Sequence, residues 1–308
     1  MNRLFGRILL TLLSAVICVT IFPKTGLCPL TCVGLVPLFF AISDITPKHA
    51  FLLGWLYGAV FSIGIGYWVF HALYFNSSAG LIVSLLFVIV VLGGGIGFYF
   101  AIFSWGACWF INLKMPLPAK VLAISCLWTG VEFCRAHLFS GMPWAFLGHS
   151  QHPWLGIIQI SDITGVYGIS YLIVLTNISI FFAMKTLSTK RHSAALLFLP
   201  IALPMLLIGA TLIYGSIRLD QFSSPNLEAK LDNQANPVPQ ANPVIASNQK
   251  SIAVIQISVS QEDKWDKEKW KDILSTLLEL SENYLKQVPA IILWPETTVP
   301  LDLEQKKA

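Results

Sequence analysis

Acidic residues are scarce through most of this 308-residue sequence: before Asp220 only Asp44, Glu132 and Asp162 carry negative charge. Charged residues make up 12% of the chain against 55% hydrophobic ones, and the mean hydropathy is +0.69. So little charge excludes an ordinary soluble domain and reads as an integral membrane protein. The net charge of +4 does not argue for nucleic acid, because the basic residues of the first half fall in short connections between apolar runs. Cysteine is missing after Cys134, and Cys18, Cys28, Cys32, Cys108, Cys126 and Cys134 are scattered through apolar segments without paired ligand spacing. Buried small hydrophobes are their default reading, and neither disulfides nor a metal or cofactor site is expected.

What is present is a series of long apolar stretches. After the basic start at Arg3 comes ILLTLLSAVICVTIF, an uncleaved anchor because more spans follow. Further stretches at about 28–43, 50–70, 81–111, 119–138, 165–184 and 194–215 are each near or above the roughly 20 residues needed to cross hydrocarbon. Residues 1–215 thus read as a transmembrane helical domain of about seven spans. Pro29 and Pro37 interrupt the short second stretch, so a tilted or incomplete crossing is expected there. If the N-terminus is cytoplasmic, Arg3, Arg7, Lys48, Lys114, Lys120, Lys185, Lys190 and Arg191 all fall inside, and the outer connections between spans carry only Lys24. Seven crossings then put everything after about Tyr214 on the outer side, the periplasm of a Gram-negative cell. Gly54-x-x-x-Gly58 and Gly93-x-x-x-Gly97 read as close helix packing.

Inside the membrane half, Trp128, Glu132 and Arg135 fall at i, i+4 and i+7, on one helical face. Ionisable groups in a span usually face a bundle interior or a wet cavity. The spacing allows a structural Glu132–Arg135 pair or a polar site that shapes lipid entry; catalysis is not expected of either, and Glu132→Gln is expected to lower the amount of folded protein. The following segment, punctuated by Gly, Pro and Trp and free of Lys and Arg, is expected in the outer interface, where Trp144 and Trp154 could meet lipid.

Residues 216–250 read as a flexible linker, rich in Pro, Asn, Gln and Ser and containing QANPV twice. From Ser251 the pattern is strand, charged amphipathic helix from about Glu262 to Gln287, then the strand Ala290 to Leu293, a β-α-β unit. Pro295 cannot donate to a ladder, so the second strand must stop there and Glu296 sits at its carboxyl edge. A carboxylate at that edge is a candidate general base, although a solvated Glu after a strand is the commoner situation.

Together these motifs carry a resemblance. W-x3-E-x2-R, then G-M-P-W-x2-L-G-H-S-Q, then G-V-Y-G-I-S with Asn177, is similar to the membrane portion of the apolipoprotein N-acyltransferases. AVIQISVSQEDKW (Ala253 to Trp265) and ILWPETTVP resemble the opening of that family's nitrilase-like domain. The resemblance implies a polytopic α-helical membrane domain followed, over 251–308, by an incomplete α/β domain, the start of an α-β-β-α sandwich in the periplasm. It implies an inner-membrane acyltransferase that moves a fatty acyl chain from a phospholipid to the α-amine of a lipoprotein's N-terminal S-diacylglyceryl cysteine. Within the family's Glu-Lys-Cys triad, Glu296 takes the position of the general base. Trp265 matches a tryptophan near the family's active-site mouth, although a core Trp at a helix start is the alternative. Glu132, Arg135 and Trp144 are supporting or substrate-binding candidates.

The family's lysine, cysteine and final span lie beyond Ala308, and no cysteine follows Glu296. The expectation is that these 308 residues alone do not acylate, being a fragment, a non-catalytic relic, or one half of a split enzyme completed by a separate C-terminal polypeptide. A transporter has little support, since neither matched broken spans nor internal symmetry is visible. A nitrilase-like amidase would need the same thiolate.

Overall fold

The computed structural model describes residues 3–22, 25–76, 79–139, 141–188 and 194–222 and, in the C-terminal part, 252–257, 259, 263, 269–285 and 291–295. Two compact units divide it, residues 1–230 and 231–308.

The first unit is helical. Helix α1 (Arg3–Thr20) precedes a 3-10 turn (Cys28–Cys32) and the short α2 (Val36–Ile42); α3 (Pro47–His71) follows. Next come α4 (Gly80–Phe87), a π-helical segment (Val88–Ile96) and α5 (Gly97–Asn112), which together make one span of 33 residues. Then α6 (Leu117–His137), a 3-10 turn (Leu147–Gln151), α7 (Leu155–Ile158), α8 (Ser161–Ser188) and α9 (Ala194–Phe222) complete it. Among the described residues six helices are long and apolar enough to cross a membrane, so the chain is a multi-pass membrane protein. The last runs on to Phe222, past the boundary near 215 read from hydropathy, and Arg218 meets Asp162 of α8 at 3.1 Å.

The stretch 28–42 is too short to count among the six, and its contacts show how it runs. Near the start of α1, Arg7 donates to the carbonyls of Ala41 (2.5 Å) and Ser43 (2.7 Å), whereas Leu27 N–H donates to Thr20 O at the other end of the same helix. The chain therefore returns along α1 to the end it came from. Pro29 and Pro37 lie in the first turns of the two short pieces, where a missing N–H costs nothing. Between the pieces the irregular backbone is satisfied from neighbours. Ser14 donates to Gly34 O at 2.6 Å, Leu35 N–H donates to Asn177 Oδ1 at 2.8 Å, and Asn177 Nδ2 donates to Thr31 O at 2.7 Å. Non-helical backbone at membrane depth is tolerated only when buried in protein in this way.

One end of the bundle gathers positive charge. Arg7 caps residues 41 and 43, Lys185 pairs with Asp44 at 2.9 Å, Cys108 reaches Ile45 O, and Lys120 donates to Ile111 O in the α5–α6 turn. Arg135 and Arg218 lie toward the opposite end, where Trp154 Nε1 meets Cys28 Sγ at 3.1 Å.

Helices α3 and α5 approach closely in the core. A Cβ on Gly54 would lie 2.3 Å from the Ser104 side chain, and one on Gly58 would lie 2.7 Å from Gly97 O. Small residues one turn apart let two backbones touch, and Tyr57, Phe61 and Phe100 interlock around the contact with ring centroids 5.4 to 5.8 Å apart.

In the second unit β1 (Ile252–Val254) pairs in parallel with β2 (Ile291–Leu293), in the register Ile252 to Ile291, with α10 (Trp270–Leu285) between them in sequence. Ile255 N–H extends the ladder to Leu293 O, and Trp294 Nε1 donates to Ser281 Oγ of α10 at 2.9 Å. The end of β2 is thus fastened to the helix.

Gly58→Val should lower the thermal midpoint of the detergent-solubilised protein, the overpacking costing about 1–3 kcal/mol. Gly130→Ala, where nothing lies within 4 Å of the new methyl, should leave it equal or higher.

Candidate functional site

The last turns of α6 present Trp128, Glu132 and Arg135 inward on one face, at 2%, 2% and 4% exposure. The helix stops at His137 because Leu138 turns extended, and Phe139 (φ 56°) and Gly141 (φ 71°) then fold the chain back. Only glycine fits at 141: a Cβ would lie 2.2 Å from Ala136 O. Met142 N–H then donates to Arg135 O at 2.8 Å, which lays the following loop across the helix end.

Glu132 holds that loop. Its Oε1 accepts from Trp128 Nε1 and from Leu147 N–H, both at 2.9 Å, so one carboxylate oxygen joins its own helix to the 3-10 turn. The pair with Arg135 that the spacing allows does not form; among the described residues no ion pair involves either side chain. The physical reason is direction. Arg135 turns away to stack its guanidinium over Phe146 (4.8 Å to the centroid) and Phe100 (5.6 Å), with one long hydrogen bond of 3.4 Å to Ala145 O.

The 3-10 turn is fixed from further sides. Gly148 N–H donates to Ser170 Oγ at 2.9 Å, and Gln151 Nε2 donates to Thr31 Oγ1 at 3.1 Å. Phe146 N–H donates to Nδ1 of His149 at 3.2 Å. Burial, and then the charge of Arg135, hold His149 below its usual pKa, so the neutral ring keeps Nδ1 free to accept. Thr31, Ser150, Gln151 and Asn177 form an additional polar network. Its signal in the sequence is polar side chains inside or beside apolar runs, which does not reveal who pairs with whom.

Trp144 is half exposed and packs on Trp68 with ring centroids 5.0 Å apart. Phe139 is 98% exposed, and Leu138, Trp154 and Leu155 are exposed nearby, an aromatic and aliphatic rim of the kind found at a membrane interface. Two clefts adjoin the Trp68–Trp144 pair, of about 420 and 890 Å³, and Arg135, Met142 and Ile96 line both. The smaller is bounded by Phe22, Phe61 and His149, and the larger runs along the π-helical segment.

Glu296 and Trp265 lie outside the described residues; what is described is the approach to Glu296, with β2 ending at Leu293 and Trp294 fastened to Ser281. Removing the acceptor in Glu132→Ala should strand two buried N–H groups at about 1–3 kcal/mol each and sharply lower the yield and thermal midpoint of the protein. Glu132→Gln keeps an acceptor oxygen at the same place and should lower both by much less.

The family model described as the apolipoprotein N-acyltransferase N-terminal domain matches residues 14–179, a segment that contains Glu132, Arg135, Trp144, the 3-10 turn and Asn177. An apolipoprotein N-acyltransferase of Geobacter metallireducens is 30% identical over 297 residues, covering 95% of this chain and 51% of the relative. One of Pseudomonas syringae pv. tomato is 27% identical over 89% of this chain and 48% of its own length, and one of Chlorobaculum tepidum is 24% identical over 91% and 46%. The chain spans about half the length of the curated relatives it matches. With a family model matching more than half of its residues, the chain belongs to the apolipoprotein N-acyltransferase family.

Proposed function

We propose that this chain supplies the membrane domain and the opening of the nitrilase-like domain of an enzyme that N-acylates lipoproteins. The observation that carries the reading is the family match over a segment that folds into a buried polar site beside two apolar clefts. The reaction has two steps. A cysteine thiolate attacks the ester carbonyl of a phospholipid and releases the lysophospholipid, leaving an acyl thioester; the α-amine of a diacylglyceryl cysteine then attacks the thioester and returns the thiolate. Glu296 is the proposed general base: it takes the proton from the thiol, hands it to the departing lysophospholipid oxygen, and then takes a proton from the amine as that attacks the thioester; Trp265 matches a tryptophan that the family places near the mouth of that site. The lysine that stabilises the oxyanion and the cysteine nucleophile belong to the remainder of the nitrilase-like domain, on this or a second polypeptide.

The proposed location is the Gram-negative inner membrane, with the N-terminus cytoplasmic and residues 251–308 periplasmic. What supports this is the gathering of Arg7, Lys120 and Lys185 at one end of the bundle, to which the 28–42 stretch returns the chain as a further crossing. Protease added to spheroplasts should cut within 223–250; protection there with cleavage in the 185–192 connection would overturn the orientation.

The activity itself is tested with membranes that contain this chain and the Lys- and Cys-bearing part of the domain, given a phospholipid and a diacylglyceryl-cysteine peptide. Mass spectrometry should show the peptide heavier by one acyl chain, and Glu296→Gln should slow its formation by about 10²- to 10⁴-fold. Unchanged acylation by Glu296→Gln would remove the residue from its role.

A further inference from the structure

We propose that the groove between α1 and α2, at the basic end of the bundle, binds one anionic phospholipid, with its headgroup on Arg3 and Arg7 and an acyl chain along Leu10 and Leu13. The groove encloses about 570 Å³ and lies at the end of the bundle opposite Arg135 and its clefts. Arg3, Gly6, Arg7 and Leu10 follow one another at i, i+3, i+4 and i+7, so they share a face of α1, and Phe40 of α2 lines the other side. Arg7 is held from behind: one terminal nitrogen donates to both Ala41 O and Ser43 O, at 2.5 and 2.7 Å. Its Nε and other terminal nitrogen make no hydrogen bond among the described residues, and no described carboxylate lies within ion-pair distance of either arginine. Like charges four residues apart on a helix repel, and an anion between them relieves the repulsion. Of the three acidic residues before Asp220, Asp44 is paired with Lys185, and Glu132 and Asp162 lie toward the other end.

The walls say what the anion is attached to. Leu9 and Leu13 line the groove and are exposed, as are Leu4, Phe5 and Val16 elsewhere on α1, so the groove opens onto the surface that meets hydrocarbon. Gly6 leaves a notch between the two arginines on that face, and nothing lies within 4 Å of where its Cβ would stand. From Arg3 to Leu13 the helix rises about 15 Å at about 1.5 Å per residue, half of the roughly 30 Å hydrocarbon core. A basic head on an apolar trough of one leaflet's depth complements a molecule with a negative headgroup and hydrocarbon chains. Two positive charges with no acid beside them favour a headgroup of net negative charge, as in phosphatidylglycerol, over a zwitterionic one whose ammonium they would repel. Because Arg7 also holds the carbonyls of Ala41 and Ser43, a lipid bound to it should stabilise the folded protein in proportion to its occupancy.

The test measures binding and its effect on stability. The purified protein in detergent is mixed with dioleoyl phosphatidylglycerol or dioleoyl phosphatidylethanolamine, retained lipid is counted by native mass spectrometry, and the thermal midpoint is recorded with and without lipid. The protein should hold phosphatidylglycerol about tenfold more tightly than phosphatidylethanolamine and should melt at a higher temperature in its presence. Arg3→Gln, which breaks no contact among the described residues, should weaken phosphatidylglycerol binding about fivefold and leave phosphatidylethanolamine unchanged. Gly6→Trp fills the notch and keeps both arginines. It should remove most of the binding and the rise in midpoint, while the lipid-free variant stays at least as stable as the protein because glycine is the poorer helix former. Lipid held elsewhere is untouched by either substitution, so the difference from the unaltered protein reads this groove alone. Equal retention of the two lipids, or equal retention of phosphatidylglycerol by the protein and Gly6→Trp, would overturn the proposal. So would displacement of phosphatidylglycerol by an excess of a glutamate-rich peptide, which would assign the groove to an acidic protein segment.

Discussion

One oxygen atom of Glu132 sets the arrangement of the end of the bundle that carries Arg135. By accepting from both Trp128 and Leu147 it binds the last turns of α6 to a loop that would otherwise have to satisfy its own backbone in a poorly hydrated place. Everything near it depends on that junction. With Leu147 held, Phe146 lies under the Arg135 guanidinium, His149 turns its Nδ1 to Phe146 N–H, and Trp144 is carried over to Trp68. Arg135 is thereby released from its helical neighbour and left facing the clefts. The carboxylate does structural work, and the cation three residues on is left to line the clefts.

The helical part of the fold was legible in the sequence because its signal is long and unbroken. Apolar runs of about twenty residues leave few alternatives, and the interruption at Pro29 and Pro37 marked the one stretch that differs. The face shared by Trp128, Glu132 and Arg135 followed from helical spacing alone. Their partners did not. Nothing local distinguishes a carboxylate that pairs three residues along its own helix from one that caps a loop fifteen residues away, and the choice is made by where Gly141 turns the chain. Likewise Gly93 to Gly97 reads as packing, and Gly97 does pack against Gly58, yet Gly94 and Gly95 form the open floor of a cleft. Glycine reports that a side chain is missing; whether a helix or a ligand comes into the space is a tertiary matter.

Strength is distributed unevenly in this molecule. The α3–α5 contact is tight enough to exclude a methyl group, and an interlocked aromatic set surrounds it. The rim from Leu138 to Leu155 is fastened by separate hydrogen bonds and ring contacts to its neighbours and carries large apolar groups outward.

The clip made by Asn177 also orders how the protein can be assembled. The stretch 28–42 does not close its own backbone: Leu35 N–H and Thr31 O find their partner on α8, well over a hundred residues later in synthesis. Until that helix has been inserted, the segment exposes unpaired peptide groups to hydrocarbon, a state costing several kcal/mol for each group. Its final packing must therefore wait until the spans of α3, α4–α5, α6 and α8 have been laid down, a late step of folding although the stretch is among the first parts translated.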